Sequence, residues 1–312
     1  MLAALTRMEV SASAVRVPHC HFYCNRKDYE WWDTQLPYFP SENRAGTTVK
    51  HQASNAMCSE RIPPVSKGLQ KTLIDRYCPA RLKSEILKSD KAEDCIARLY
   101  LGRRRFNDRQ SAFFSLRNIP LWLDMVESLN LPISHYAEVM AEALAVMHWE
   151  AELDAGDVEF VLGSPRSAAT TATATPIVPS STIQQLPYNT TTRWEQLHEQ
   201  PYETQDTLPG PEHQLWLLDF DCCGLMTMDD AGVEKAVGAF YRNDPYYPRP
   251  SAPEAPDFGL WETFSTCYLA ASEAILRRRG LEMGLRLRWW RRIVVSPGRI
   301  RRRRRRVPLP SA

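Results

Sequence analysis

The most regular pattern of apolar positions in the chain follows Pro132 and predicts an amphipathic helix. Apolar side chains recur there at intervals of three and four residues, which places them on one helix face: Tyr136, Val139, Met140, Ala143, Leu144 and Met147. Ser134 is positioned to act as the N-cap. Helical spacing extends across 67–149, so we expect this region to be mainly helical, with the apolar face in the core.

Two further helices and one strand are predicted in the C-terminal third. The first helix carries apolar residues on one face, namely Val233, Ala236, Val237, Phe240 and Tyr241. Thr227 with Asp230 resembles a capping box before it. The second helix is predicted over about 261–279. Upstream of both, the apolar run 215–218 stops at Asp219, which is typical of a buried strand at its exposed end.

Composition divides the rest of the chain into regions of different character. Residues 1–66 mix short apolar runs with Pro and aromatic residues and predict short strands with irregular connections. Residues 164–212 are rich in Ser, Thr, Pro and Gln, so they cannot bury enough apolar surface to offset chain entropy, and they predict a disordered insertion. We therefore expect a helical domain over 67–276, interrupted by this insertion, and an Arg-rich tail over 277–312 that is disordered or partly helical.

Charge is strongly segregated along the chain. The net charge is +2, yet 277–306 holds 14 Arg and one acid, Glu282, which leaves 25 basic and 36 acidic side chains elsewhere. The tail, whose arginines begin at Arg277 and end at Arg306, is expected to bind nucleic acid, to act as a nuclear import signal, or to dock on the protein's own acidic body. Trp289 and Trp290 are candidates to stack on bases. A tail without a selected role is the remaining alternative.

The sequence contains neither a long apolar segment nor a secretory signal. No uninterrupted apolar run reaches the roughly 18 residues that a membrane span needs, and the opening residues lack the charged, apolar and small-residue order of a signal peptide. We therefore expect a cytoplasmic or nuclear protein without a membrane partner. Its eight cysteines are expected to be reduced thiols.

Acidic residues at three positions form the pattern with the most specific chemistry. Asp154 is followed five residues later by Glu159, a short apolar strand comes next, and a second predicted strand ends in Asp219. This order and spacing resemble the catalytic loop and the Asp-Phe-Gly segment of protein kinases and aminoglycoside-phosphotransferase-like enzymes. The resemblance implies that Asp154 orients an acceptor hydroxyl while Glu159 and Asp219 hold magnesium on ATP. The insertion 164–212 then falls at a hairpin tip, where extra length costs little.

Several parts of that signature are missing or altered. No G-x-G-x-x-G is present to cover phosphates, and no strand Lys paired with a helix Glu is identified. Glu152 stands where His is usual, Glu159 where Asn is usual and Asp221 where Gly is usual. The departures favour a non-catalytic, pseudokinase-like interaction module with a protein partner. Three alternatives stay open: an active magnesium-ATP-dependent phosphotransferase, a nuclear nucleic-acid-binding protein acting through the tail, and acids that are simply polar ends of strands and turns.

A longer segment, from about residue 17 to 276, resembles a fungal family of unknown function whose members are often labelled "zinc finger protein". The motifs that carry the resemblance are Val17-Pro18-His19-Cys20-His21, Glu60-Arg61-Ile62-Pro63-Pro64, Arg98-Leu99-Tyr100-Leu101-Gly102 and Phe114-Ser115-Leu116-Arg117-Asn118, with 154–162 and 216–221. The resemblance implies an α+β, kinase-like fold with an abbreviated β-rich N-terminal part and a mainly helical C-terminal lobe. In such a fold Glu60-Arg61-Ile62 is the strand that leads into the hinge between lobes.

The family label raises the question of a zinc site. His19, Cys20, His21 and Cys24 put four potential ligands within six residues. A closed tetrahedral site normally draws two pairs of ligands from separate turns, and no second pair follows at a suitable distance. In a strand, moreover, Cys20 faces the side opposite to His19 and His21. These four residues are therefore only weak zinc candidates.

Overall fold

The computed structural model describes residues 15–39, 48, 52–88, 94–105, 114–165 and 213–295. Within these ranges the protein is α+β, with a mixed five-stranded sheet, a two-stranded sheet and eight α-helices. None of the helices described is both long and apolar enough to cross a membrane. Nearly all of the insertion predicted over 164–212, and the part of the predicted tail beyond residue 295, lie outside the described residues.

The elements follow one another along the chain in a mixed order. The strands are β1 (Val15–Arg16), β2 (Cys20–Cys24), β3 (Ala56–Ser59), β4 (Ala97–Tyr100), β5 (Ile119–Trp122), β6 (Glu159–Gly163) and β7 (Gln214–Leu218). The helices are α1 (Tyr29–Gln35), α2 (Lys67–Tyr77), α3 (Ala80–Lys88), α4 (Leu123–Ser128), α5 (Ile133–Trp149), α6 (Asp230–Arg242), α7 (Phe258–Arg278) and α8 (Gly284–Val295).

The larger sheet has the strand order β1-β7-β6-β4-β5. Strands β6 and β7 form the predicted antiparallel pair, with Glu159 opposite Leu218 and Gly163 opposite Gln214. Strand β4 pairs antiparallel with β6 and parallel with β5, while β1 pairs parallel with β7. Because β6 and β7 lie inside this sheet, their residues read as nearly continuous buried runs.

The region 67–149 contains helices α2 to α5, as expected, and also two strands, β4 and β5, that were not predicted from the sequence. Both strands alternate fully buried and partly exposed residues, as in Ala97 and Leu99 against Arg98 and Tyr100. Four residues of this alternation are too short to stand out in a region that also contains α2 to α5. Pro120 is tolerated in β5 because that strand is at the sheet edge, where its missing N–H breaks no ladder bond.

Helix α5 is the centre of the helical layer and confirms the clearest sequence prediction. Twelve of its residues, from Tyr136 to Trp149, are buried, and it packs chiefly on α7. Two buried polar atoms at its C-terminal end have partners on α7, since His148 Nδ1 lies 2.9 Å from the Tyr268 hydroxyl and Trp149 Nε1 donates to Ser272 at 2.7 Å. This pairing is what allows polar atoms to occupy the core. The other ring nitrogen of His148, Nε2, is buried without a hydrogen-bond partner among the described residues.

The helix caps differ from those predicted. Helix α5 begins at Ile133 with Pro132 before it, so Ser134 is inside the helix and supplies no cap bond. Helix α6 is capped by Asp229, whose carboxylate accepts from the Gly232 N–H at 2.9 Å and from the Thr227 hydroxyl at 2.6 Å. The sequence therefore located the start of α6 to within two residues, but the cap is Asp229 and not Thr227, the cap position of the predicted capping box.

The C-terminal helices extend past the domain boundary predicted at residue 276. Helix α7 continues to Arg278, and α8 packs against α6 and α7. Leu285, Trp289 and Ile293 of α8 are fully buried. The first part of the Arg-rich segment is therefore a folded helix of the domain, and the buried Trp289 ring is not accessible for stacking on a base.

Candidate functional site

The candidate site is built where β6 begins and β7 ends. Glu159 is opposite Leu218 in the sheet, so Asp219, the residue after Leu218, comes next to Glu159. Arg98 on the neighbouring strand β4 forms an ion pair with Glu159 at 2.9 Å. Burial raises the pKa of Glu159, Arg98 lowers it and Asp219 raises it further. The structure thus brings two predicted magnesium ligands together, but one of them already has a cationic partner.

Asp154, the predicted catalytic residue, is buried in the loop before β6. Its Oδ1 accepts hydrogen bonds from the N–H groups of Gly156, at 3.0 Å, and Gly224, at 2.9 Å. Its Oδ2 lies 3.5 Å from the ammonium group of Lys235 on α6. Both carboxylate oxygens therefore contact groups of the protein itself.

Backbone hydrogen bonds also join the loop before β6 to the loop after β7. The Asp154 N–H donates to Gly224 O at 2.9 Å, and the Met226 N–H donates to Glu152 O at 2.8 Å. Leu153 and Leu225 form an antiparallel bridge between these bonds. The loop after β7 is consequently held against the loop before β6, and Asp154 is at the centre of the contact.

Unusual backbone geometry is concentrated in these loops. Glu152, Ala155, Asp157 and Asp219 all have φ between 55° and 66°, in the left-handed region. That conformation costs a residue other than Gly roughly 1–2 kcal/mol, with Asp better tolerated than Ala or Glu. Strained residues of this kind cluster at functional sites, where the surrounding contacts hold them in place. The sequence contains no signal for this strain, because none of the four residues is Gly.

Three exposed carboxylates, on Asp157, Asp219 and Asp221, interact electrostatically and form an acidic patch beside the loops that meet at Asp154. The pKa of Asp219 is raised, first by partial burial and then by repulsion from Asp221. The Cys222 thiol also has a raised pKa, chiefly because it bonds Asp221. Repulsion from Asp221 and Asp157 contributes to both shifts, because nearby negative charge disfavours further ionisation.

A cavity of about 890 Å³ opens next to the acidic patch, between the antiparallel pair β2–β3 and the end of β7. Its walls are formed by Val17, Pro18, Cys20, Tyr23, Met57, Ser59, Glu60, Arg61, Ile62, Pro64, Asp94, Ile96, Arg117, Asn118, Leu218, Asp219, Phe220 and Asp221. Residues 60–62, predicted as a strand leading to a hinge, follow β3 without strand structure and line this cavity. We call it the cleft.

The weak zinc candidates do not converge. Cys20, His21 and Cys24 belong to β2, and His19 immediately precedes it. Cys24 is fully buried, with its thiol 3.5 Å from Asn25 O, whereas Cys20 lines the cleft. Burial raises the pKa of Cys20, which favours the neutral thiol over the thiolate that binds zinc. In the ranges that the structure describes, no group of three or more His, Cys, Asp or Glu side chains is arranged to hold a metal ion.

The described part of the basic segment is paired with acids of the domain. Six of its described arginines contact carboxylates on α5, α6, α7 or adjoining loops: Arg277 with Glu273, Arg278 with Glu150 at 2.8 Å, Arg279 with Glu152 at 2.7 Å, Arg286 with Glu273 at 2.7 Å, Arg288 with Asp230 at 2.8 Å, and Arg292 with Glu234 at 3.6 Å. This half of the segment docks on the acidic body, one of the three predicted roles of the tail. Nucleic-acid binding stays a prediction for the run 299–306, which lies outside the described residues.

Three residues that shape the site were not predicted as site residues from the sequence. Arg98 and Lys235 neutralise Glu159 and Asp154, and Asp157 completes the acidic patch. Arg98 and Lys235 are far from their partners along the chain, so only the fold reveals these pairings. Asp157 lies within the kinase-like motif, and its signal was its place between Asp154 and Glu159.

Comparison with known proteins gives one match. Residues 215–280, which span nearly all of β7 and the whole of α6 and α7, match a family described as "Zinc finger protein" (DUF3669). The match supports the resemblance to that family seen in the sequence. The matched segment contains three cysteines and no histidine. No curated protein and no solved structure matches the chain.

Proposed function

We propose that this protein is a non-catalytic, pseudokinase-like interaction module that holds a protein segment in its cleft. The observation that carries the proposal is the engagement of Asp154 by Lys235 and by the N–H groups of Gly156 and Gly224. A general base must reach the proton that it abstracts, at about 2.6–3.2 Å between heavy atoms. A buried carboxylate whose two oxygens are occupied by the protein does not meet this requirement.

The ion pair between Glu159 and Arg98 also supports a non-catalytic function. Magnesium is bound by carboxylate oxygens that are free to coordinate it, together with substrate phosphates. Arg98 occupies the vicinity of Glu159 with a fixed positive charge, which repels a divalent cation. Phosphoryl transfer through this pair would first require the Arg98–Glu159 ion pair to open.

The kinase-like part of the proposal draws on topology. An antiparallel pair, β6 and β7, ends in acids, and a bridge between Leu153 and Leu225 ties together the loops that flank the pair. The cleft lies beside these acids, where kinases bind nucleotide. We interpret the cleft as a partner site because apolar side chains such as Val17, Met57 and Ile62 contribute much of its lining.

An active magnesium-ATP-dependent phosphotransferase is the second candidate, and one observation favours it. Asp219 and Asp221 are exposed and line the cleft, so both are accessible to a hydrated magnesium ion carrying nucleotide. In this alternative Asp219 replaces Glu159 as the principal metal ligand, and Asp154 positions the loop.

Thermal unfolding of the full chain with and without magnesium-ATP separates the two candidates. A ligand that binds only the folded state at 100 times its Kd stabilises it by about 2.7 kcal/mol. For the interaction module we expect no shift at millimolar nucleotide and no transfer of labelled phosphate to a peptide mixture. A shift that Asp219→Asn abolishes, and that the matched substitution Asp33→Asn on α1 leaves intact, would establish the phosphotransferase instead.

A further inference from the structure

The cleft combines two chemical properties that together specify an occupant. Most of its wall is apolar, with contributions from Pro18, Met57 and Phe220, while Asp219 and Asp221 place carboxylates at one end. Asp157 adds a third exposed carboxylate nearby. An extended segment with basic residues followed by apolar residues matches both the acidic end and the apolar wall.

We propose that residues 299–310 of this same chain bind the cleft in cis. The arginines of 301–306 face the acidic patch of Asp157, Asp219 and Asp221, and the sequence Val-Pro-Leu-Pro of 307–310 covers the apolar wall. This inference rests on the proposed function, because a cleft used for phosphoryl transfer has to admit nucleotide. The protein partner of the module then competes with the chain's own C-terminal segment.

The part of the basic segment that precedes 299–306, helix α8, already forms ion pairs with acids of the domain. Arg288 and Arg292 of α8 pair with Asp230 and Glu234 on α6, and Arg286 pairs with Glu273 on α7. These contacts, together with buried Trp289, fix α8 on the acidic body. The arginines of 299–306 follow within a few residues of α8 and carry the same charge.

The path from α8 to the acidic patch is short enough for the tail to cover. The Tyr241 hydroxyl donates to Ile293 O, which places the end of α8 beside the last turn of α6. Lys235 is six residues earlier on α6, about 9 Å along the axis, and its ammonium contacts Asp154. Asp157 follows in the same loop. A chain of 11 residues, from 296 to 306, spans up to about 36 Å when extended, so the run reaches the patch.

The tether also makes the contact favourable without a large interface. A segment held by a short linker experiences an effective concentration of about 1 mM, so a weak intrinsic affinity is enough for occupancy. Exposed ion pairs contribute little each and are screened by salt. We therefore expect the docked segment to be displaced readily by a partner with a tighter apolar contact.

Competition with a labelled peptide tests the proposal on the full chain. The probe is a fluorescein-labelled peptide with the sequence of 299–310, and its anisotropy is followed with the wild-type chain and with a variant that has Gln at all six positions 301–306. We expect the peptide to bind the variant at least about tenfold more tightly, because the cis segment no longer competes. Equal affinity for the two chains would overturn the proposal.

A second pair of variants locates the contact. In the six-Gln background, the double substitution Asp219→Asn and Asp221→Asn should weaken peptide binding about tenfold. The control, Asp33→Asn with Asp75→Asn, removes the same amount of charge at another part of the surface and should leave peptide binding unchanged. Equal weakening by both pairs would refute a specific site. Dimers that grow with concentration and vanish in the six-Gln variant would show a second copy as the occupant, against cis docking.

The experiments give different results when the proposed function is wrong and when only the cis-binding inference is wrong. Magnesium-ATP that displaces the peptide, or transfer of phosphate to the chain, would reject the proposed function. Equal peptide affinity for wild type and variant, with no effect of nucleotide, would reject only the cis occupant.

Discussion

The ammonium group of Lys235 lies 3.5 Å from the Asp154 carboxylate and links helix α6 to the loop that precedes β6. The Asp154 side chain is 5% exposed, whereas the Lys235 side chain is 43% exposed. The same carboxylate accepts from Gly156 and Gly224, so three segments of the chain meet at one buried charge. Asp154 is therefore a positioning residue in the proposed function.

Replacement of Asp154 should destabilise the protein more than replacement of Lys235. Asp154→Ala leaves the buried N–H group of Gly156 and the half-buried N–H group of Gly224 without an acceptor, and we expect a loss of about 2–4 kcal/mol in the free energy of unfolding. Lys235→Met should cost about 1 kcal/mol, because water partly screens this half-exposed cation. Urea denaturation measures both, with Lys71→Met on the exposed side of α2 as control. A fully stable Asp154→Ala protein would contradict the positioning role.

Helix α8 should contribute to the stability of the domain. Trp289 is fully buried, with its ring centroid 4.1 Å from that of Tyr268 and 5.5 Å from that of Phe240. Trp289→Ala creates a large cavity, and we expect it to cost about 3–5 kcal/mol. Trp290→Ala, at a partly exposed position, is the matched control and should cost much less. Equal, small effects of the two substitutions would mean that α8 is not part of the core.

Stability should fall as the pH drops below about 6.5, in part because of His148. Burial lowers the pKa of His148 to about 3, against 6.5 as the ordinary value. Between these values the unfolded chain binds a proton that the folded chain does not, so stability rises with pH and is lost on acidification.

The contribution of His148 has a slope of about 1.4 kcal/mol per pH unit in this window. Urea denaturation at pH 4.5, 5.5 and 7 measures it. His148→Gln should flatten the pH dependence while lowering stability overall, whereas His135→Gln, at an exposed position on α5, should leave the dependence intact. An unchanged slope in His148→Gln would assign acid sensitivity to other groups.

Thiol chemistry tests the zinc question independently. Burial raises the pKa of Cys95 and of Cys223 to about 12, so both thiols should react slowly with iodoacetamide at pH 8, while exposed Cys58 reacts first. Peptide mass spectrometry over a time course measures the order in which the cysteines are labelled. A chelator should change neither this order nor the melting temperature. Faster labelling of Cys20 and Cys24 after chelation would reveal a zinc site.

Several elements were predictable because their signal is local. The spacing of Tyr136, Met140 and Leu144 predicted α5, and α6, α7 and the β6–β7 pair are also close to their predicted positions. Strands β4 and β5 were missed because four-residue alternation is weak beside helical periodicity. The basic segment was divided at residue 276 on composition alone, although Leu285, Trp289 and Ile293 are spaced at intervals of four.

The sequence by itself determined the helices with an apolar face, the β6–β7 pair and the spacing of the three acids, since periodicity and spacing express local geometry. Only the tertiary structure decided which charges meet. Arg98 reaches Glu159 because β4 lies beside β6, and Lys235 reaches Asp154 because α6 packs on the loop before β6. Such contacts join positions distant in the chain, and their geometry depends on packing that no single segment encodes.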